Sequence, residues 1–165
     1  MKIMHLKIAG LTLLASLSLT AMSQAQGLAP ATMTTSAAPT AKPAVVKDPS
    51  LFKDLGGLPV IQKVVADFVA LMLADDRIKH TFRDTDLKRL DKTLVEQFCD
   101  LSGGGCIYTG DPMKEVHQGL QLTNAHFNAL VEDLQLAMDK SDIPSHVQNR
   151  LLALLAPMQR DTVTR

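Results

Sequence analysis

The sequence predicts an all-α domain of about 115 residues, from Ser50 to Arg165, behind an export signal and a linker. Three observations carry this reading. Apolar residues recur at helical spacing in several separate stretches. Glycine runs and a proline–serine pair interrupt the pattern where helices should stop and start. No stretch alternates apolar and polar residues as a half-buried strand would, and no internal repeat is visible.

The first residues read as a secretory signal. Lys2 and Lys7 supply positive charge, and Ile8 to Met22 form an apolar run of about fifteen residues, short for a membrane span. Ser23-Gln24-Ala25 is a small-x-small cleavage site, which places the cut after Ala25. No cysteine follows it to accept lipid. The expectation is therefore an exported protein, periplasmic in a Gram-negative source, with no membrane attachment after cleavage; an uncleaved anchor is the alternative. Losing Lys2 and Lys7 from 17 basic and 17 acidic residues leaves a net charge of about −2, which argues against nucleic-acid binding. Residues 26–49 are rich in Ala, Pro, Thr and Ser and read as a flexible linker. The remaining residues suffice for one domain with one core. With no tryptophan and few other aromatics, that core must be mostly Leu, Val, Met and Ala.

Leu51 to Leu55 is a short opening turn, stopped by Gly56-Gly57. Leu58 to about Ala74 follows, with Ile61, Val64, Val65, Phe68 and Met72 on one face. Asp75 to Phe82 reads as a tight connector. Asp86 to Leu101 carries Leu87, Leu90, Leu94, Phe98 and Leu101 on one stripe and ends at Gly103-Gly104-Gly105. Gln97 interrupts that stripe and faces inward, either to bond backbone or to face a ligand. Asp111 can cap the next helix, with Pro112 in its first turn. That helix sets Met113, Val116, His117 and Leu120 on one side. An imidazole among soft apolar side chains suits haem iron, or is a core histidine bonded to a carbonyl. Thr123 or Asn124 caps a long helix with Phe127, Leu130, Val131, Leu134 and Met138 inward. Pro144 and Ser145 begin the last helix, with Val147, Leu151, Leu154, Leu155 and Met158 inward.

Several short segments now fall into a known order. They are Leu51-Phe52-Lys53-Asp54-Leu55-Gly56-Gly57, Leu73-Ala74-Asp75-Asp76-Arg77, Phe82, Gly103-Gly104, and Tyr108-Thr109-Gly110. Met113-Lys114-Glu115-Val116-His117-Gln118-Gly119 and Leu155-Ala156-Pro157 complete the set. In order and spacing the chain resembles the group 1 truncated haemoglobins, from Leu51 to about Val163. The resemblance implies a two-over-two helical sandwich around haem b. It matches His117 to the proximal iron ligand, whose other ring N–H usually bonds a carbonyl. It matches Phe82 to the corner phenylalanine on the porphyrin, places Phe68 and Met113 against the ring, and sets Phe98 on an apolar route for gas.

The distal side departs from the family. Many relatives carry a tyrosine just after the phenylalanine matched by Phe68, where this chain has Val69. The usual polar candidates on the following long helix are Leu90 and Leu94. Dioxygen draws negative charge when held by ferrous haem, and a charge-assisted hydrogen bond is worth roughly 1.5–3 kcal/mol, or about ten- to a hundredfold in affinity. Val69, Leu90 and Leu94 cannot supply one, and Gln97 is the candidate distal donor. The expectation is rapid loss of dioxygen and poor discrimination against carbon monoxide.

Cys99 and Cys106 flank the glycine run. In an oxidising compartment they can pair, stabilising by roughly 2.5 kcal/mol on the loop-entropy account; a redox-sensing pair is the alternative. His80 is read as a solvated corner histidine, with sixth-ligand duty as the alternative, and His126 and His146 as surface residues without a zinc set. Lys88, Arg89, Asp91 and Lys92 form a solvated flank from which one or more can meet haem propionates.

The expected function is reversible binding of dioxygen, carbon monoxide or nitric oxide. Oxidation of nitric oxide to nitrate, or peroxidase-like chemistry, is the alternative and would need an unknown reductase. A haem-free helical module that binds a partner is the third reading.

Overall fold

The computed structural model describes residues 48–165. The predicted signal, residues 1–25, and all but the last two linker residues lie outside the described residues. Helix α1 (Pro49–Asp54) begins slightly ahead of the expected opening turn. Asp48 caps it, accepting from the Ser50 N–H at 2.9 Å, and Pro49 takes the first helical position.

Helix α2 (Gly57–Ala74) buries Ile61, Val64, Val65, Phe68 and Met72, the stripe read from spacing alone. By length and hydropathy α2 could cross a membrane. Here it packs on α3 (Leu87–Leu101) and α5 (Asn124–Asp139). A 3₁₀ turn, Lys79–Phe82, fills the connector. Asp86 opens α3 by accepting from the N–H groups of Lys88 and Arg89 at 3.0 and 3.1 Å.

The paired glycines after α3 let α1 lie on its end. A Cβ on Gly103, whose φ is +84°, would sit 2.7 Å from the Pro49 nitrogen, and one on Gly104 would sit 2.4 Å from the Phe52 ring. The Phe52 N–H donates to the Ser102 carbonyl at 3.0 Å in the space so left. Arg150 of α6 (Ser145–Leu155) clamps the other side of α1 through Asp54 and Asp48, at 2.5 and 2.7 Å. Cys99 and Cys106 form a disulfide with Cα atoms 5.6 Å apart. It ties the end of α3 to the loop that leads to the histidine segment.

That segment differs from expectation. Helix α4 (Met113–Val116) is one turn, and His117 is its C-cap, not an interior position. Asp111 does not cap it. Pro112 stays in extended backbone (ψ 141°), so the helix starts one residue later. The Asp111 carboxylate instead accepts from Arg89 Nη2 at 2.6 Å. Thr123 opens α5 in a reciprocal cap. The His126 N–H donates to Thr123 Oγ1 at 3.3 Å, and the Thr123 N–H to His126 Nδ1 at 3.4 Å. His126 is therefore half-buried and structural rather than a plain surface residue. After α6 a 3₁₀ turn, Ala156–Met158, leads into α7 (Gln159–Thr162), which meets α4. The final residues close back on the segment after His117, with Thr164 and Arg165 N–H donating to the Leu122 carbonyl at 3.0 and 3.1 Å.

Helices α2 and α3 pack together, as do α5 and α6; α2 also meets α5, and α3 meets α6. This is a two-over-two helical sandwich, with no strand among the described residues. Its core is aliphatic, centred on Val65, Met72, Ala137 and Met138, with the Phe68 and Phe98 rings stacked 6.3 Å apart.

One charge breaks the rule of that core. Asp133 of α5 is 4% exposed, and its Oδ2 has no hydrogen-bond partner. Burial, with Asp75 nearby, holds its carboxyl above the usual range, whereas Asp75 bonds Arg77 and lies below it. A carboxyl whose folded pKa is raised disfavours folding once ionised. The penalty is absent below the unfolded value of about 3.9 and complete above the folded one. Asp133→Asn should therefore raise stability at pH 7. Denaturant unfolding at pH 7 and pH 3 should show a gain that vanishes in acid; a loss at pH 7 would contradict this account.

Candidate functional site

A cavity of about 310 Å³ opens between α3, α5 and the histidine segment. Packed interiors leave few voids larger than a water molecule, whereas cofactor sites run from roughly 300 to 1,000 Å³. The space is therefore a site rather than a packing fault. Its walls are Phe68 from α2, Phe82 from the corner, and Leu90, Leu94 and Phe98 from α3. Met113 and His117 line it as well, with Leu134 from α5.

His117 is half-buried, and its Nδ1 lies 2.7 Å from the Met113 carbonyl oxygen. A carbonyl only accepts, so Nδ1 carries the proton. That leaves Nε2 with its lone pair available to a metal. The residue carrying that carbonyl is the first of α4, and the His117 N–H also donates to it at 3.3 Å. Ring and backbone are thus both referred to Met113.

Two exposed charged groups, Arg89 and Asp111, border the cavity. Arg89 lines it and is paired with Asp111, whose backbone carbonyl accepts from the Tyr108 hydroxyl at 3.0 Å. Burial, with Asp111 nearby, pushes the Tyr108 phenol above its usual range. Glu96 accepts from Thr109 Oγ1 and N–H at 2.6 and 2.9 Å, which holds its carboxyl below the usual range. These contacts fasten the loop before α4 to α3. Of the charged flank read from the sequence, Arg89 alone lines the cavity; Lys88, Asp91 and Lys92 do not.

The distal residues divide. Leu90 and Leu94 line the cavity, while Val69 packs against the core and does not. Thr93, which spacing alone had not marked, lines it one turn along from Leu90. Its hydroxyl is directed to the Arg89 and Leu90 carbonyls at 2.9 and 3.1 Å. Gln97 lines the cavity too, but its amide nitrogen donates to Met158 Sδ at 3.5 Å and Met113 Sδ at 3.8 Å. It bonds neither backbone nor an open distal space. Met158, expected inward on the last helix, reaches the site from the 3₁₀ turn after α6. His80 is exposed and stands edge-on to His126, ring centroids 5.5 Å apart; His126 lines the cavity and His80 does not. His146 is exposed, as read from the sequence.

The profile of the family described as bacterial-like globin matches residues 50–164. The chain is 34% identical over 115 residues to the group 1 truncated hemoglobin GlbN of Mycolicibacterium paratuberculosis, covering 70% of this chain and 85% of that protein. It is 30% identical over 115 residues to the group 1 truncated hemoglobin of Tetrahymena thermophila, covering 70% of this chain and 95% of that one. Among solved structures, the Fe(III) truncated hemoglobin of Tetrahymena pyriformis superposes with a TM-score of 0.67 at 30% identity, over 70% of this chain and 98% of that one. The 2/2 hemoglobin of a Synechococcus species, solved with covalently attached heme, matches with a TM-score of 0.65 at 25% identity, over the same 70% and 98%. The chain belongs to the bacterial-like globin family, among the group 1 truncated haemoglobins, whose cofactor is haem.

Proposed function

We propose that His117 is the proximal ligand of haem b in this cavity, and that the protein reversibly binds a small diatomic gas on the opposite face. The observation that carries the proposal is the 2.7 Å contact from His117 Nδ1 to the Met113 carbonyl. It selects the tautomer a metal needs and fixes the plane of the ring. The apolar walls suit a porphyrin face, and Phe82 stands where a ring can pack on it. Arg89 at the mouth is the cation available to the propionates, sharing its guanidinium with Asp111. When bound, haem supplies an iron with one open position for a gas ligand.

The protein's share of ligand choice lies in what faces that position. Leu90 and Leu94 offer no donor, and the protons of Thr93 and Gln97 are directed to carbonyls and sulfurs. Ligands that need no hydrogen bond, such as carbon monoxide, keep their affinity here, while dioxygen loses its stabilising contact. We further propose that the protein works after export, a reading the Cys99–Cys106 disulfide supports.

His117→Ala should abolish or strongly alter the Soret band of the haem-loaded protein; a colourless wild-type protein under full haem supply would end the proposal. Leu90→Gln should slow dioxygen dissociation about ten- to a hundredfold, read by stopped flow, and an unchanged rate would show that donors are not what the pocket lacks. Intact mass of protein from the exported fraction should begin at Gln26 and sit two hydrogens below its reduced form. A mass retaining residues 1–25, or free thiols, would contradict export or the oxidised pair.

A further inference from the structure

Gln97 is a buried amide on a stripe that otherwise carries leucine and phenylalanine, and it is 8% exposed. A leucine at 97 would satisfy the stripe without a polar group to bury, so the amide needs a reason. Its partners are two thioethers, Met158 Sδ at 3.5 Å and Met113 Sδ at 3.8 Å. Sulfur is a weak acceptor, but a buried N–H with no better partner still selects where the sulfurs sit.

Met113 is the residue whose carbonyl takes the His117 Nδ1–H at 2.7 Å. One residue thus carries both ends of a link from α3 to the imidazole. Its own helix gives it little support, because α4 is a single turn with no side-chain cap. A helix that short is not stable on backbone bonds alone. The rotation of Met113 about the α4 axis, and with it the direction of its carbonyl, is therefore set by contacts from outside. Those contacts include the Gln97 amide and, through it, Met158, alongside α7, which meets α4.

We infer that Gln97 is a positioning residue for the His117 imidazole, acting through Met113, and not a donor to the bound gas. The inference rests on His117 as the iron ligand. It couples the helix on the distal side to the strength and orientation of the proximal bond, so that a change at α3 reaches the iron without touching the gas.

The test uses the full haem-loaded protein, reduced and free of gas. Resonance Raman reads the iron–imidazole stretch, which responds to the hydrogen bond at Nδ1 and to the orientation of the ring. Gln97→Leu should shift or broaden that band, with the Soret band retained, and should speed haem transfer to excess apomyoglobin roughly two- to tenfold. Met113→Leu, which removes the sulfur and keeps the volume, should give the same shift. The double variant should add nothing to either, because the two act as one link. An unchanged band in Gln97→Leu with an intact Soret overturns the inference and leaves the His117 reading standing. Shifts that add in the double variant also overturn it. A wild-type protein without a Soret band overturns both.

Discussion

A helix of one turn cannot hold its own side chains in place, and everything proposed for this protein hangs from such a helix. Nucleating a turn fixes several backbone angles for one hydrogen bond. Helix α4 has four residues and no side-chain cap. The direction of the His117 ring is consequently a property of the surrounding fold. Arg89–Asp111 and Tyr108–Asp111 hold the chain before α4. Gln97 holds Met113 from within, and Thr164 and Arg165 hold Leu122 behind it. The disulfide at Cys99 and the glycines against α1 keep the end of α3, where Gln97 stands, in register.

The same economy explains the cavity. The core around Val65, Met72 and Ala137 is closely packed and almost without aromatics. Beside it, Phe68, Leu90, Leu94, Phe98 and Leu134 turn apolar surface to the cavity. A large planar apolar ligand would then complete the core as well as occupy a site, so binding and folding stability are linked. The polar groups bordering the cavity are mostly engaged with each other. The mouth pairs Arg89 with Asp111, Thr93 turns to its own helix, and Gln97 turns to sulfur. Towards a ligand the His117 imidazole offers a lone pair, and Phe68, Leu90, Leu94 and Phe98 offer hydrocarbon.

The long helices were legible because their information is local. The stripe of α2, the Asp86 cap of α3 and the Thr123 cap of α5 depend on residues within a turn or two of each other. The histidine segment was not legible in the same way. Spacing predicted a capped helix through His117, and a partner 22 residues away took the capping carboxylate. The identity of His117 came from resemblance to a family, since its local pattern fits an ordinary core histidine equally well. Helical spacing turns the Gln97 amide inward, but one of its partners lies 61 residues on, beyond the reach of periodicity. A carboxylate on an amphipathic helix is ordinarily solvated, and nothing local marks Asp133 as buried. Polar groups placed by long-range contacts are what sequence pattern carries least.

The central claim is a geometry, and a crystal structure of the haem-loaded protein tests it most directly. The account predicts iron bonded to His117 Nε2, with Nδ1 still on the Met113 carbonyl and the Gln97 amide on the thioethers. Iron held by His80, His126 or another side chain, or a His117 ring turned away from Met113, would contradict it.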